Sequence, residues 1–255
     1  MEGGNEMSLP TKQTSGKMAV SALRWLIYGP PGIGKTALGS GFPNAMFFAT
    51  EKGYKALKVF KKDVLSWEDF KDSIDEIVEG DHEFKTVIID TVDLLFDYCS
   101  QYVCDKLGIE HESEGEWGRG WSEVKKEFTR VVNKLMQTKY GVIFISHTRG
   151  DKITTQLEEI TKTVPTLSNQ ARKILLPLVD TIGCMKYRSH KVGKGKYEEQ
   201  LVISFKPTQY VEAKDRTGLL PDQLKLHVIP DGKKTSDIVA KYAKKNYALI
   251  AEYYD

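Results

Sequence analysis

The stretch YGPPGIGKTAL, Tyr28–Leu38, gathers three glycines and two prolines directly before a lysine and a threonine. It follows the short apolar segment RWLIYG, which ends at Gly29, and leads into KTALGS, which opens a predicted helix. Residues 29–36 fit the pattern G-x-x-x-x-G-K-[ST] in full. A strand, a glycine-rich loop and a helix in this order predict a loop whose own backbone is the binding surface, rather than an ordinary Gly-Pro turn.

The residue types of this loop suit the phosphates of a nucleotide. Phosphate oxygens need several N–H donors that converge on one point, and side chains at that point would block their approach. The start of the following helix adds unpaired N–H groups, and Lys35 adds a charge that can reach the β- and γ-phosphates. The Thr36 hydroxyl can ligate Mg²⁺. The predicted nucleotide contacts are Gly29, Pro30, Pro31, Gly32, Ile33, Gly34, Lys35, Thr36 and Ala37.

Apolar segments alternate with helical patterns along the first 147 residues. The predicted strands are RWLIYG, AMFFAT (45–50), KTVIID (85–90) and GVIFISH (141–147), with helices near 66–80, 92–107 and 121–136 between them. Such continuously apolar strands predict an α/β fold, with a mostly parallel central sheet and helices on both faces. A helix near 168–178, a C-terminal β-hairpin extension with a basic tip and a last helix follow, whereas 149–168 shows no clear period and predicts a loop.

Length and composition set the organisation of the chain. Its 255 residues, 40% hydrophobic and 28% charged, can bury one sizeable core. We expect a flexible tail at 1–20, a core domain at 21–230 and a C-terminal helical segment at 231–255. The net charge of +2 means that any basic site must be a local patch. Three cysteines without metal spacing, and no apolar run of about 18 residues, predict a cytoplasmic protein without a membrane partner.

Polar residues stand at the ends of three predicted strands, where parallel sheets bind their ligands. Asp90 is predicted to hold Mg²⁺ through a water or through Thr36; its alternative role is to cap the next helix. Glu51 can orient or deprotonate an attacking water, or it is a surface glutamate. His147 can sense the γ-phosphate, or it is a satisfied histidine in a polar crevice. With Lys35, these three residues form the candidate catalytic set.

Three of these segments resemble the core strands of RecA-type ATPases: MFFATEKGYKAL, VIIDTVDLL and GVIFISHTRG. More widely, residues 20–225 resemble short phage-encoded ATP-binding proteins with a bare RecA-like core, as in SWEDF, GDHEFKTVIIDTVD, GRGW, VIFISHT and AKDRTGLLP. The resemblance implies a RecA-like P-loop NTPase, with ATP and Mg²⁺ as cofactors and Glu51 as the water-activating residue. It departs from the family at His147, where RecA-type proteins usually carry glutamine.

The resemblance also implies action on single-stranded DNA, in homologous recombination or strand annealing. It implies a homo-oligomer, a ring or a filament, with a single-strand-binding protein as a further candidate partner. Lys206 in SFKPTQY stands where RecA-type proteins place a lysine that reaches the neighbouring subunit's ATP. The active site would then be completed only between subunits.

Candidate DNA-binding residues fall in three places. RecA-type proteins bind DNA through two loops around the fourth core strand, which here implies Trp117 and Arg119 in the first, and Arg149 and Lys152 in the second. Four glutamates within 110–116 oppose the first loop. The hairpin tip at 186–196 carries no acid and suits a phosphate backbone, although a solvated hairpin is the alternative. Its candidates are Arg188, Lys191, Lys194 and Lys196.

Two other functions stay open at this point. In the first, the protein binds ATP without hydrolysing it and serves as a module for DNA annealing or partner binding. In the second, it is a P-loop kinase or an AAA+ remodelling ATPase. A kinase needs an arginine-rich lid, and an AAA+ protein needs a C-terminal helical bundle with a sensor arginine. After the hairpin the chain holds one arginine, Arg216.

Overall fold

The computed structural model describes residues 19–114, 118–154, 158–193, 195–230 and 235–254. Most of the predicted N-terminal tail and the candidate DNA-binding residues Trp117 and Lys194 lie outside the described residues. No helix within these ranges is both long and apolar enough to cross a membrane.

Strands and helices alternate along the first half of the chain, as the apolar segments predicted. The strands are β1 (Arg24–Tyr28), β2 (Ala45–Ala49), β3 (Phe60–Asp63), β4 (Thr86–Asp90), β5 (Gly141–Ser146), β6 (Thr148–Thr154), β7 (Glu159–Pro165), β8 (Thr181–Gly193), β9 (Lys196–Ser204), β10 (Lys214–Asp215) and β11 (Gln223–Lys225). The helices are α1 (Lys35–Gly39), α2 (Trp67–Glu79), α3 (Val92–Leu107), α4 (Arg119–Met136), α5 (Asn169–Leu178) and α6 (Ser236–Ala251).

The main sheet has the order β11-β9-β8-β1-β5-β4-β2-β3, with β10 paired to β8. Strands from β8 to β3 in this order run parallel, whereas β9, β10 and β11 add antiparallel pairs. The predicted α/β fold with a mostly parallel sheet and a C-terminal hairpin extension is therefore confirmed. Strand β5 lies between β1 and β4, so the carboxyl ends of these three strands share one edge of the sheet.

Apolar side chains of the sheet face two separate cores. Helices α2, α3, α4 and α5 cover one face, where Trp67, Phe96 and Phe128 are buried. Helices α1 and α6 cover the other, where Leu38 and Ile250 are buried. The alternation of side chains along each strand sends neighbouring residues into opposite cores, which explains why the strands are apolar throughout.

Helix α2 shows how local sequence sets a boundary. The Ser66 hydroxyl accepts a hydrogen bond from Asp69 N at 3.0 Å, which satisfies one of the helix's first N–H groups. Trp67, Phe70 and Ile74 recur at helical spacing and are buried in the core. Ile77 is buried as well, whereas the neighbouring Val78 is exposed.

The region 149–168, predicted as a loop, instead forms an antiparallel hairpin from β6 and β7. The prediction was wrong because the alternation there is made of threonines and isoleucines among charges, which is a weak apolar signal. Ile160 and Val164 are nevertheless buried on alternate positions of β7. Strand β3, FKKD, was also missed; it is a short and largely exposed edge strand.

We expect Phe128→Ala to lower the free energy of unfolding by about 3–5 kcal/mol, because the ring is fully buried between Trp67 and Phe96. The matched control is Phe60→Ala on edge strand β3, where the residue is 66% exposed and the loss should stay near about 0.5 kcal/mol. Urea unfolding of both variants measures the difference. Equal losses would contradict the assignment of the core.

Candidate functional site

The loop from Gly29 to Thr36 connects β1 to α1. Gly32 and Gly34 have φ of +75° and +102°, a region that side chains disfavour, and a Cβ added at either would meet only open space. The loop is therefore a bare concave backbone, as the motif predicted. Gly29 has a different reason, because a Cβ there would lie 2.5 Å from the Met185 carbonyl oxygen on β8.

Lys35 lies inside this loop and is only 5% exposed. Its ammonium donates to the carbonyl oxygens of Gly29 at 2.9 Å and Pro30 at 3.0 Å. Burial lowers the pKa of Lys35, an effect that the nearby carboxylate of Asp90 opposes. The loop's own oxygens thus hold the cation at the mouth of the sheet, where phosphate oxygens could replace them.

Asp90 ends β4 and is bonded to the loop across the end of β5. The Thr36 hydroxyl donates to Asp90 Oδ2 at 2.7 Å, and the Tyr54 hydroxyl donates to the same oxygen at 2.9 Å. Burial raises the pKa of Asp90, while these two hydrogen bonds favour its charged form. The N-cap of α3 is Thr91, so Asp90 does not occupy the capping position that was its alternative role.

Glu51 follows β2 and is held by two partners. Thr91 Oγ1 donates to Glu51 Oε1 at 3.1 Å, and His147 Nε2 lies 3.1 Å from the same oxygen. The Thr50 hydroxyl accepts from Thr91 N at 2.8 Å and donates to Thr91 O at 2.9 Å. The Asp90–Thr91 peptide bond between these groups is cis. Strands β2 and β4 therefore place Glu51 beside the phosphate loop through a shared set of hydroxyl contacts.

His147 joins Lys35 to Glu51. Its Nδ1 lies 3.3 Å from Lys35 Nζ, and its Nε2 faces the Glu51 carboxylate. An ammonium only donates and a carboxylate only accepts, so a neutral imidazole with its proton on Nε2 satisfies both contacts. Asp93 fixes the backbone here, accepting from His147 N at 2.9 Å and from the Ser146 hydroxyl at 2.7 Å.

Tyr54 and Asp93 are two acidic or phenolic members of the cluster that the sequence analysis missed. Tyr54 lies in a segment without regular structure, so no period pointed to it. Asp93 lies in the first turn of α3. Burial raises the pKa of Asp93, whereas the hydrogen bonds that it accepts act in the opposite direction. The spacing of the two aspartates in IIDTVD was the available signal, since both follow the same strand end.

The donor set suits Mg²⁺ bound together with phosphate. The described residues hold no group of three or more His, Cys, Asp or Glu side chains that could bind a metal alone. Thr36 and Asp90 offer two hard oxygens in direct contact. Mg²⁺ typically takes one or two such ligands and completes its shell with water and substrate phosphates. The residues present therefore fit that ion.

The candidates on β6 are engaged with acids. Arg149 Nε donates to Asp151 Oδ1 at 2.9 Å, and Lys152 pairs with Glu159 at 2.9 Å. Lys206, the candidate for a role in a neighbouring subunit, is 61% exposed and pairs with Asp222 at 2.7 Å. Each lies outside the cluster around the phosphate loop.

The β8–β9 hairpin carries the remaining basic candidates on exposed residues. Lys191 pairs in register with Tyr197, whose ring is also exposed, and Lys196 follows the tip. Arg188 donates to Gln223 Oε1 at 2.8 Å. Pairing with β9 also brings Glu198 and Glu199 opposite His190 and Ser189, so the acid-free tip continues into a strand pair of mixed charge. Arg119, at the start of α4, is exposed as well.

These features define a P-loop NTPase built on a RecA-like α/β core. The chain belongs to the family described as AAA domain, whose pattern matches residues 21–217. That family implies nucleotide binding with a divalent metal ion, and it accounts for the phosphate loop and the residues around it.

Two further similarities accompany the family match. The SPbeta prophage-derived uncharacterized protein YorG of Bacillus subtilis (strain 168) is 28% identical over 204 residues, covering 78% of this chain and 57% of YorG. The chain thus spans just over half the length of that relative. A KaiC-like protein from Pyrococcus horikoshii OT3 aligns with a TM-score of 0.39 and 12% identity, covering 72% of this chain and 78% of that one. The family match confirms the predicted resemblance to P-loop ATP-binding proteins.

The burial of Asp90 predicts a pH dependence of stability. Its raised pKa means that the folded protein holds this proton more tightly than the unfolded chain. The contribution of this proton to the free energy of unfolding is fully present below the pKa that Asp90 has in the unfolded chain. It is lost as pH rises through the pKa that Asp90 has in the folded protein. Asp90→Asn cannot ionise but can still accept from Thr36 and Tyr54. We expect it to raise the free energy of unfolding relative to wild type at about pH 8, and less so toward acid pH.

Urea unfolding of wild type and Asp90→Asn from about pH 8 down to about pH 3, below the ordinary pKa of an aspartate, measures this difference. A difference of the opposite sign, or one that stays constant over this range, would show that burial does not control this carboxyl group.

Proposed function

We propose that this protein is a Mg²⁺-dependent ATPase whose nucleotide state serves an interaction with single-stranded DNA. The convergence of Lys35, the Thr36–Asp90 pair and Glu51 on one side of a bare glycine loop is the observation that carries the proposal. Each group comes from a different segment: the loop with the start of α1, the end of β4 and the end of β2. Such a meeting of cation, metal ligands and carboxylate suits phosphoryl transfer to water.

The residues divide the work of hydrolysis. Main-chain amides of the loop and the Lys35 ammonium bind the phosphate oxygens and stabilise charge that develops on them. Thr36 and Asp90 would hold the metal ion, which would supply further charge stabilisation. Glu51 orients the attacking water and accepts its proton. His147, in contact with both Lys35 and Glu51, is placed to keep the carboxylate in position.

Glu51 is the best general base of the three carboxylates in the cluster. Asp90 is bonded to Thr36 and Tyr54, and Asp93 is bonded to Ser146 and the backbone of His147. The Glu51 side chain is 36% exposed, whereas Asp90 is buried, and both described partners of Glu51 contact one oxygen, Oε1. Its position after β2 also favours a RecA-type arrangement over an AAA+ remodelling ATPase, the alternative with which the family's description agrees.

A second candidate function is nucleotide binding without turnover. The observation in its favour is that Thr91 and His147 both hold Glu51. If these contacts persist with ATP bound and keep Oε2 away from the γ-phosphate, the carboxylate does not reach the attacking water. The protein would then use ATP only to fix its fold for a partner.

We expect Lys35→Ala to abolish ATP binding and Glu51→Gln to lower the turnover of ATP by about 10²–10⁴-fold while leaving ATP affinity within about threefold. The reason is that Lys35 binds phosphate, whereas Glu51 acts only on water. The matched control is Glu79→Gln at the exposed end of α2, which should keep wild-type turnover. Phosphate release and calorimetric titration with ATP measure the two quantities.

Unchanged nucleotide affinity in Lys35→Ala would overturn the assignment of the loop. Turnover in Glu51→Gln equal to that of wild type would instead favour the binding module.

The β8–β9 hairpin is the element that best supports a DNA interaction. The basic side chains of β6 pair with acids, whereas Lys191 lies beside the exposed Tyr197 ring on one face of the hairpin. A lysine and an aromatic ring side by side match the two contacts that single strands offer, phosphate charge and base stacking. The acids Glu198 and Glu199 further along β9 limit the contact to the tip.

We expect Lys191→Gln to reduce the slope of log affinity for single-stranded DNA against log salt by about 0.7, because one phosphate contact and its released counterion are lost. The matched control is Lys125→Gln on the exposed side of α4, which should leave the slope unchanged. Fluorescence titration of a labelled oligonucleotide over a salt series gives the slopes. Equal slopes for both variants and wild type would exclude the hairpin as the DNA contact.

A further inference from the structure

We propose that the C-terminal part of the chain, His227–Ile229 together with α6, forms the nucleoside subsite of this protein. The proposal rests on the nucleotide binding proposed above and assigns where the sugar and base of that nucleotide lie. The family match ends at residue 217, so it gives no role to these residues. Their place in the fold carries the argument.

A cleft opens directly beside the phosphate loop. Its loop side is formed by Gly32, Gly34 and Ala37, and its opposite wall by the segment 227–229 and by α6. Its volume is about 160 Å³. A single water needs about 10–15 Å³ of such space, so the cleft has room for a group as large as a nucleobase. A triphosphate seated on the loop would therefore extend its nucleoside into this cleft.

Helix α6 is packed closely enough to form a fixed wall. A Cβ added at Gly41, just after α1, would lie 2.2 Å from the Ala243 carbonyl oxygen, so the two backbones touch. Phe42 and Tyr247 meet edge to face with ring centroids 4.9 Å apart, and Ile250 is fully buried. Helix α6, which forms one wall of the cleft, is thus packed against the segment that follows the phosphate loop and α1.

Asn246 fixes the other part of the wall. It is only 7% exposed, its Oδ1 accepts from His227 N at 2.7 Å, and its Nδ2 donates to His227 O at 3.1 Å. An amide that makes both bonds to one backbone residue holds the 227–229 segment in register over the cleft. The amide of Asn246 is thereby used for the wall and does not read the base.

The remaining surface of the cleft suits an aromatic ring. Tyr242 contributes a half-buried ring that lies 6.5 Å from the His227 ring, and Leu38, Met185 and Val228 add apolar contacts. An aromatic base can stack on such a ring, and stacking tolerates different bases. The chemical class of the ligand is therefore a nucleoside triphosphate whose base is held by packing.

The test compares ATP with inorganic tripolyphosphate, which has the phosphates but no nucleoside. We expect wild type to bind ATP at least about tenfold more tightly than tripolyphosphate in calorimetric titrations with Mg²⁺. Tyr242→Ala should remove most of this preference, about fivefold or more, and leave tripolyphosphate affinity within about twofold. Gly41→Ala, which pushes α6 outward, should do the same. Gly193→Ala is its control, because a Cβ there meets nothing within 4 Å.

Retained tripolyphosphate binding shows that each variant keeps a folded phosphate loop. A preference for ATP that survives both Tyr242→Ala and Gly41→Ala would overturn the nucleoside subsite and leave the ATPase proposal intact. Wild type that binds neither ligand would overturn both.

Discussion

The hydrogen bond between Thr36 and Asp90 is the contact on which the rest of the site depends. It joins the phosphate loop after β1 to the end of β4, passing over the end of β5, which lies between the two strands. The parallel register makes this meeting unavoidable, because Tyr28 pairs with Ser146 and Asp90 pairs with Ile145. Side chains that follow these strands therefore lie together at one edge of the sheet.

Several buried charged groups lie at that edge, where a bound ligand would interact with them. Lys35 is buried among carbonyl oxygens, and Asp90 and Asp93 are carboxyl groups whose pKa burial raises. Removing such groups from water costs free energy that hydrogen bonds from Thr36, Tyr54 and Ser146 only partly offset. Buried charged groups of this kind are typical of functional sites. Apolar residues would fill the same space with a smaller loss of free energy, so stability alone does not explain them.

The sequence predicted the parts of the site that are encoded locally. The phosphate loop is a contiguous motif, and Asp90 and Glu51 stand directly after apolar strands, so pattern and position located them. Tyr54 and Asp93 escaped notice because their roles come from tertiary contacts, with Asp90 and with the backbone of His147. No period in the sequence indicates that kind of contact.

The same distinction explains the errors in the fold. Strands β1, β2, β4 and β5 are buried on both sides and read as apolar runs, whereas β6 and β7 form a separate two-stranded sheet on the surface. Threonines that alternate with charged residues are also common in loops. These two strands can therefore be recognised only from their pairing with each other. The Asn246 contact to His227 belongs to this class as well, since its two residues lie 19 positions apart and neither is part of a motif.

Strand β8 connects the proposed nucleotide site to the proposed DNA contact. The first part of β8 pairs with β1, and its Met185 carbonyl lies where a side chain at Gly29 would have to fit. The same strand continues beyond the end of β1, paired with β9, to Lys191 near the hairpin tip, while Met185 also lines the cleft beside α6. A shift of the phosphate loop against Met185 would therefore act on the same strand that carries Lys191. Strand β8 therefore belongs to both surfaces that the proposals name, the nucleotide site and the hairpin tip.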